Sequence, residues 1–395
     1  LPIVLGFFIA SYYMTFSIEG REVVDTINKG EIHIIEPDLE EIVSNVVSNG
    51  NFIASTEPVQ AEVFLIVVPT PFKRNHEPDI SYIESATKSV IPLLKKGDLY
   101  IIESTSPIGT TEKMQELIFQ SRPELKGEIH IAYCPERVLP GNVMYELVHN
   151  DRVIGGVDES STQKAISFYS KYVKGELHPT NARTAEMCKL VENSSRDSQI
   201  AFANELSLIC DKADINVWDL INLANKHPRV NILQPGCGVG GHCIAVDPYF
   251  IISDYPLESK MIGKAREVNN YKSLWCAEKI QKENKIPYFV IANVNIGGVS
   301  ASFGSLGDFH LMEPGKKTIW GFAGKRVVQG TISEPLPEDF QSSSHVIKTG
   351  AIDMISHRKD QRDVITNLVS ILLKKRQSQE YKIENTEEKV QAVNQ

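Results

Sequence analysis

The chain has 395 residues, 42% of them apolar and 23% charged, with a formal net charge of -9. That length suits two or three domains with sizeable cores. The acidic balance argues against nucleic acid as a main partner, since phosphates need a basic face to neutralise them.

Leu1–Ile18 carries no charge but is interrupted by Pro2, Gly6, Ser11, Thr15 and Ser17, and no basic region precedes it. Membrane insertion is therefore not expected, and the cytoplasm is the expected location. From residue 21 to about 175, short apolar runs alternate with amphipathic stretches. Val63–Val68, Leu99–Ile102 and Ile129–Ala132 read as buried strands, with the near-continuous apolar character of parallel sheet. Ile80–Leu94 and Thr111–Phe119 read as helices, the second with Thr110 as its cap. Strands alternating with helices predict a doubly wound α/β domain. Ala182 to about Ala213 then predicts one long helix. The six cysteines (Cys134, Cys188, Cys210, Cys237, Cys243, Cys276) show no CxxC spacing, so neither structural zinc nor a disulfide framework is expected.

The stretch that carries chemistry is GCGVGGHCIAVDP, Gly236 to Pro248. A thiol reacts as its thiolate, which needs surroundings that stabilise negative charge. Glycines let backbone N–H groups approach a substrate closely, and Asp247, four residues after Cys243, is placed to position a water or share a proton. The bland alternative is that Cys243 is a small buried hydrophobe. Gly236, Gly238 and Gly241 formally satisfy G-x-G-x-x-G, but that motif must follow a strand and open a helix. Here Pro235 precedes it and Pro248 soon follows, so a dinucleotide loop is not expected. Lys189 and Asn193, four apart on the long helix, project from one face; such a pair is ordinarily a solvated surface. Glu136 after Pro135 is ordinarily only a turn. Cys237 and Cys243, six apart, are candidates for a disulfide under oxidation.

The segment NKHPRVNILQPGCGVGGHCIAVD (Asn225–Asp247) resembles the active-site segment of the UDP-sugar 6-dehydrogenases. Its HPRVNILQPG and GGHCIAVDP ends point to the branch acting on UDP-N-acetyl-D-mannosamine. The likeness runs from about Arg21 to Gln281 and includes TINKGEIHIIEPDLE, VFLIVVPTPF, ESTSPIGTT, CPERVLPG and AREVNN. It implies NAD-dependent oxidation of a UDP-hexosamine to its uronate through a cysteine thioester, in polysaccharide biosynthesis. It further implies Cys243 as nucleophile, Lys189 and Asn193 as oxyanion stabilisers, Asp247 orienting water, Glu136 assisting thioester hydrolysis and Thr105 holding that water. Arg229, Gly240 and Gly241 would bind substrate, and Pro69, Thr70 and Thr105 would line the NAD site. A homodimer through the helix at 182–213 is expected. The usual opening of a nucleotide domain, strand and G-x-G-x-x-G followed by a ribose-binding acid, is absent from Leu1–Gly20.

Beyond about Gln281 a different likeness is expected. IPYFVIANVNIGGVSASFGSLGDF, GFAGKRVVQGTI and LPEDFQSSSHVIKTGAIDMISHR resemble the C-terminal part of the acetyl-CoA carboxylase carboxyltransferase beta subunit. That implies a partial crotonase-like segment over 282–375, with backbone N–H groups at Gly297 and Gly298 forming an oxyanion hole and a carboxyltransferase alpha subunit as partner, in fatty acid biosynthesis. The expected organisation is an unmatched segment 1–20, an incomplete NAD-binding domain 21–175, a central helical and catalytic domain 176–281, the carboxyltransferase-like segment, and a polar tail 376–395. The whole reads as two incomplete enzymes joined near residue 282, a chimera whose alternatives are a carboxyltransferase fragment or a catalytically dead hybrid. No metal is expected.

Overall fold

A computed structural model describes residues 14–17, 21–32, 39–73, 76–138, 142–241, 243–279, 287–296, 300, 303–315, 318–321, 328 and 336–372. The first body is built on a five-stranded sheet, β3 (Val63–Ile66), β4 (Leu99–Ile102), β5 (His130–Tyr133), β6 (Arg152–Gly156) and β7 (Leu177–Asn181), in that order. Strand β4, LYII, is buried at every position because both of its faces are covered. Tyr100 and Ile102 point into one core with Ile83, Met114, Ile118, Ile131 and Tyr133. Leu99 and Ile101 point into the other with Ala132, Leu147, Ile154, Ala165 and Tyr169. Alternation at period two thus serves two hydrophobic layers, as a doubly covered sheet requires.

The expected strands and helices are present with small shifts. The two helices are α3 (Ser81–Val90), extended by a 3-10 turn over Ile91–Leu93, and α4 (Thr110–Ser121); α5 (Val143–His149) and α6 (Glu159–Tyr169) follow. Two details correct the sequence reading. β5 and β6 pair antiparallel, so the sheet is mixed rather than parallel throughout. Thr110 is the first helical residue of α4, not its cap; Gly109 occupies the cap at φ +90. Beside this sheet, β1 (Met14–Ser17) and β2 (Phe52–Ser55) form a parallel pair. With α1 (Arg21–Asn28) and α2 (Leu39–Ser48), β2 encloses a small core of Val24, Ile27, Leu39, Val43, Val46, Phe52 and Ala54.

Helix α7 (Ala182–Lys212) confirms the long helix, 31 residues and about 46 Å at the standard rise. Its inner face is unusually polar: Asn193, Ser194, Asp197, Asn204 and Ser207 are buried. α10 (Lys260–Glu278) answers that face. Arg266 Nη1 reaches Asp197 Oδ1 at 2.6 Å, and Asn269 Nδ2 bonds the same oxygen at 2.8 Å. Asn204 Nδ2 donates to Asn269 Oδ1 at 2.9 Å, and Lys272 Nζ to Ser207 Oγ at 2.7 Å. This polar seam sets the register of the two helices, since one residue of slippage would leave buried donors and acceptors unpaired. α8 (Val217–Ala224) and α9 (Asp247–Asp254) flank the loop that carries the cysteines.

The last part winds differently. β8 (Phe289–Ala292), β10 (Phe309–Met312) and β12 (Met354–Ile355) form a parallel sheet in the order β12-β10-β8. β9 (Val294–Ile296) and β11 (Ile319–Gly321) form a second parallel pair. Consecutive strands therefore alternate between the two sheets, with α11 (Ser343–Thr349) between β11 and β12 and α12 (Gln361–Leu372) at the end. Ala292, Met312, Trp320, Val346 and Ile352 close this core. Gly297 and Gly298, the expected oxyanion turn, lie outside the described residues, as does the tail. Among the described residues no helix is long and apolar enough to cross a membrane.

Candidate active site

The cysteine loop leaves α8 and shows no strand or helix among its described residues before α9, so its described glycines do not follow a strand. Its start is held from both long helices. Gly236 N donates to Asn204 Oδ1 at 2.8 Å, and Ser273 Oγ donates to Cys237 O at 2.7 Å. Gly238 has φ +116 and lies so close to α10 that a Cβ would meet Ser273 Oγ at 2.4 Å. Only glycine fits there. Cys243 O then accepts from Val246 N and Asp247 N at 3.0 and 2.9 Å, a turn that brings the acid back beneath the cysteine.

Four expected residues converge. Asp247, buried at the start of α9, accepts a 2.5 Å hydrogen bond from Asn193 Nδ2 of α7. Lys189, one turn earlier on α7, acts electrostatically on both Asp247 and Cys243. Burial pushes the Asp247 carboxyl up to about 6, against the opposing Asn193 bond and Lys189 charge. Cys243 reaches the surface, yet desolvation of its sulfur and the Asp247 carboxylate push its thiol above the ordinary value, while Lys189 pulls it down. A thiol, a cation, an amide and an acid around one exposed sulfur can stabilise an oxyanion and handle a proton there.

The remaining expected residues stand farther out. Glu136, after β5, accepts from the backbone N of Arg137 and Val138 at 2.6 and 3.0 Å and faces buried Arg152 at 3.8 Å. Its loop is tied to α7 by Arg137 and Glu192 at 2.8 Å, next to Asn193. No described contact joins Glu136 to Cys243. Thr105 lies half-buried just past β4. Pro69 and Thr70 follow β3 in a loop whose Phe72 and His76 rings pack on Tyr249 of α9, His76 stacked at 4.2 Å. Arg229 is exposed on the turn after α8; Gly240 is exposed and Gly241 half-buried in the loop.

For NAD, the described residues fit in part. Pro69, Thr70 and Thr105 occupy the carboxyl ends of neighbouring parallel strands, where open α/β sheets bind ligands, and the Phe72–Tyr249 contact brings that rim to α9. Helix α4 starts at the same edge, but its N-terminus is engaged. Glu186 of α7 accepts from Gly109 N at 2.6 Å, Thr111 N at 2.8 Å and Thr111 Oγ1 at 2.6 Å. No phosphate is expected to bind that helix end.

Sequence reasoning missed Glu186, three residues before Lys189, whose role depends on a helix 75 residues away. It also missed a buried group behind Glu136. Arg152 approaches Cys134 Sγ at 3.9 Å, and Tyr169 hydrogen-bonds Glu103. Burial pushes Glu103 up to about 8. Cys237, a candidate partner of Cys243 only under oxidation, is a free thiol that interacts with Cys276 of α10.

A Rossmann-like sheet joined by a long helix to a cysteine loop is the architecture of a nucleotide-dependent dehydrogenase. Residues 17–173 match the NAD binding domain of the UDP-glucose/GDP-mannose dehydrogenase family, and residues 183–271 match its central domain. A UDP-N-acetyl-D-mannosamine dehydrogenase of Escherichia coli (strain K12) is 57% identical over 270 residues, 66% of this chain and 64% of the relative. One of Campylobacter jejuni is 48% identical over 363 residues, 89% of this chain and 87% of the relative. The native structure of the UDP-N-acetyl-mannosamine dehydrogenase from Staphylococcus aureus superposes with TM-score 0.70 at 34% identity, covering 82% of this chain and 81% of that one. The chain belongs to the UDP-glucose/GDP-mannose dehydrogenase family, and its first domain is of the NAD-binding kind. It spans 64% of the length of the Escherichia coli relative. The Campylobacter alignment covers more of the chain than residues 1–281 hold, so dehydrogenase likeness continues past Gln281. None of these matches supports a carboxyltransferase.

Proposed function

We propose that this chain oxidises C6 of a UDP-N-acetylhexosamine, UDP-N-acetyl-D-mannosamine in the first place, to the uronate. The observation that carries this reading is the convergence of Cys243, Asp247, Lys189 and Asn193 from a loop and a helix. NAD, when bound, supplies the hydride acceptor for the two oxidations. Cys243 adds to the C6 aldehyde, forming a C–S bond, and the resulting thiohemiacetal goes on to a thioester. Lys189 and Asn193 stabilise the oxyanion at C6 in both oxidations. Asp247 orients the water that cleaves the thioester, releasing acid and free thiol, with Glu136 and Thr105 holding that water from the sheet side. Pro69 and Thr70 line the cofactor rim, and Arg229, Gly240 and Gly241 meet the nucleotide sugar.

A second copy would pack on α7, where Val191, Phe202 and Ile209 are exposed, and the enzyme would work in the cytoplasm. After residue 281 the strands alternate between two small parallel sheets while the alignment to the Campylobacter dehydrogenase continues, and no carboxyl transfer is assigned to this part.

The test is NADH formation from UDP-N-acetyl-D-mannosamine and NAD+ with product analysis. Uronate is expected from the chain, and none from Cys243→Ser, whose ester would turn over slowly. Complete oxidation by Cys243→Ser, or no oxidation by the unsubstituted chain, would overturn the proposal.

A further inference from the structure

Two thiols that the proposed chemistry does not use meet beside the catalytic loop. Cys237 is exposed at the start of that loop, where Ser273 holds it against the turn of α10 that carries Cys276, and each thiol acts on the other. The pair is built in by its surroundings. The Cys237 carbonyl is held by Ser273, three residues before Cys276 on the same helix face, and Gly238 admits the close approach. Lys272, four before Cys276, has its Nζ buried 3.8 Å from the Trp275 ring centroid and acts electrostatically on both sulfurs. Tyr288, from the segment that opens β8, lies within the field of the same two thiols. The hydrogen bond from Cys276 and the Lys272 charge lower the Cys237 thiol, while Cys276 is raised as the donor. An exposed sulfur with thiolate character and a second thiol in contact are the two elements a peroxide-reactive dithiol needs.

We propose that Cys237 and Cys276 are a peroxide-oxidisable pair whose disulfide staples the start of the catalytic-cysteine loop to α10. The Cys237 thiolate attacks one oxygen of hydrogen peroxide; an S–O bond forms, the O–O bond breaks, and hydroxide leaves and is protonated to water. Cys276 sulfur then attacks the sulfenyl sulfur of Cys237; the S–S bond forms, and the departing hydroxide takes up the Cys276 proton as a second water. Two thiols lose two electrons and one peroxide becomes two waters. Cys243 sits outside this chemistry: desolvation and then the Asp247 carboxylate push its thiol up, whereas the Cys237 thiol is lowered.

This inference does not rest on the proposed dehydrogenase activity, and its test needs no turnover. The full chain is treated with hydrogen peroxide, blocked with iodoacetamide under denaturing conditions, digested without reductant and mapped by mass. A Cys237–Cys276 cross-linked peptide is expected, reversed by dithiothreitol and still formed in Cys243→Ser. In Cys276→Ser a dimedone adduct should appear on Cys237 instead. At pH 7, brief labelling of the untreated chain should modify Cys237 at least about tenfold faster than Cys243. A dominant Cys237–Cys243 peptide, or sulfenylation of Cys243 ahead of Cys237, would overturn the proposal.

Discussion

Asp247 exerts opposite effects on the two groups it serves. Its carboxylate accepts the Asn193 amide and so fixes the α7 face that carries Lys189, while its charge discourages ionisation of Cys243. Lys189 works in the other direction. Cysteine reactivity should therefore move oppositely in two variants. In a Cys237→Ser background, Asp247→Asn keeps an acceptor for Asn193 and should speed alkylation of Cys243 at pH 7 by roughly threefold or more. Lys189→Gln should slow it by a similar factor. Peptide-resolved iodoacetamide kinetics reads both, and equal rates in the three proteins would mean that neither charge reaches the sulfur.

At the scale of elements, Glu186 decides how the sheet meets α7. It is fully buried and takes three hydrogen bonds from the first turn of α4, so it is both a cap and a clamp. The favourable placement of a carboxylate at a helix N-terminus offsets its burial, yet burial still raises its pKa. Glu186→Ala leaves the buried Thr111 N–H and hydroxyl without their acceptor and should cost on the order of 2–4 kcal/mol. Glu186→Gln keeps one oxygen and should cost less. Urea unfolding monitored by circular dichroism would check the order; equal stability of all three would show that the clamp contributes nothing.

For the molecule as a whole, buried carboxyls set the direction of its pH response. Glu103 is raised to about 8 and Asp247 to about 6, both chiefly by burial. An acid whose folded pKa lies above its unfolded value contributes stability below the unfolded pKa, and that contribution is lost as pH rises through the folded one. For Glu103 the window runs from its ordinary value near 4.5 to about 8. Glu103→Gln keeps an acceptor for Tyr169 and cannot ionise, so its Tm should be roughly level with the parent at pH 5 and higher at pH 8. A parent chain that gains on the variant as pH rises would reverse this assignment.

Three of the five strands of the sheet (β3, β4 and β5), the long helix and the GGHC motif were legible in the sequence, because periodicity and motif are short-range properties. LYII announces a strand buried on both faces, whereas the polar inner face of α7, Asn193 included, reads as solvated surface. The sequence by itself determined the element types, the family likeness and the identity of the thiol and acid residues. Only the tertiary structure decided which of these meet. Asn193 reaches Asp247 across 54 residues, and Glu186 caps a helix 75 residues before it. Cys237 is held by Ser273 of α10, one turn before Cys276, because the glycine at 238 lets the loop lie against that helix. The antiparallel β5–β6 pair and the Gly109 cap were hidden for the same reason. Such pairings are chosen by packing and by the cost of leaving buried polar groups unmatched, and neither quantity exists until distant segments are brought together.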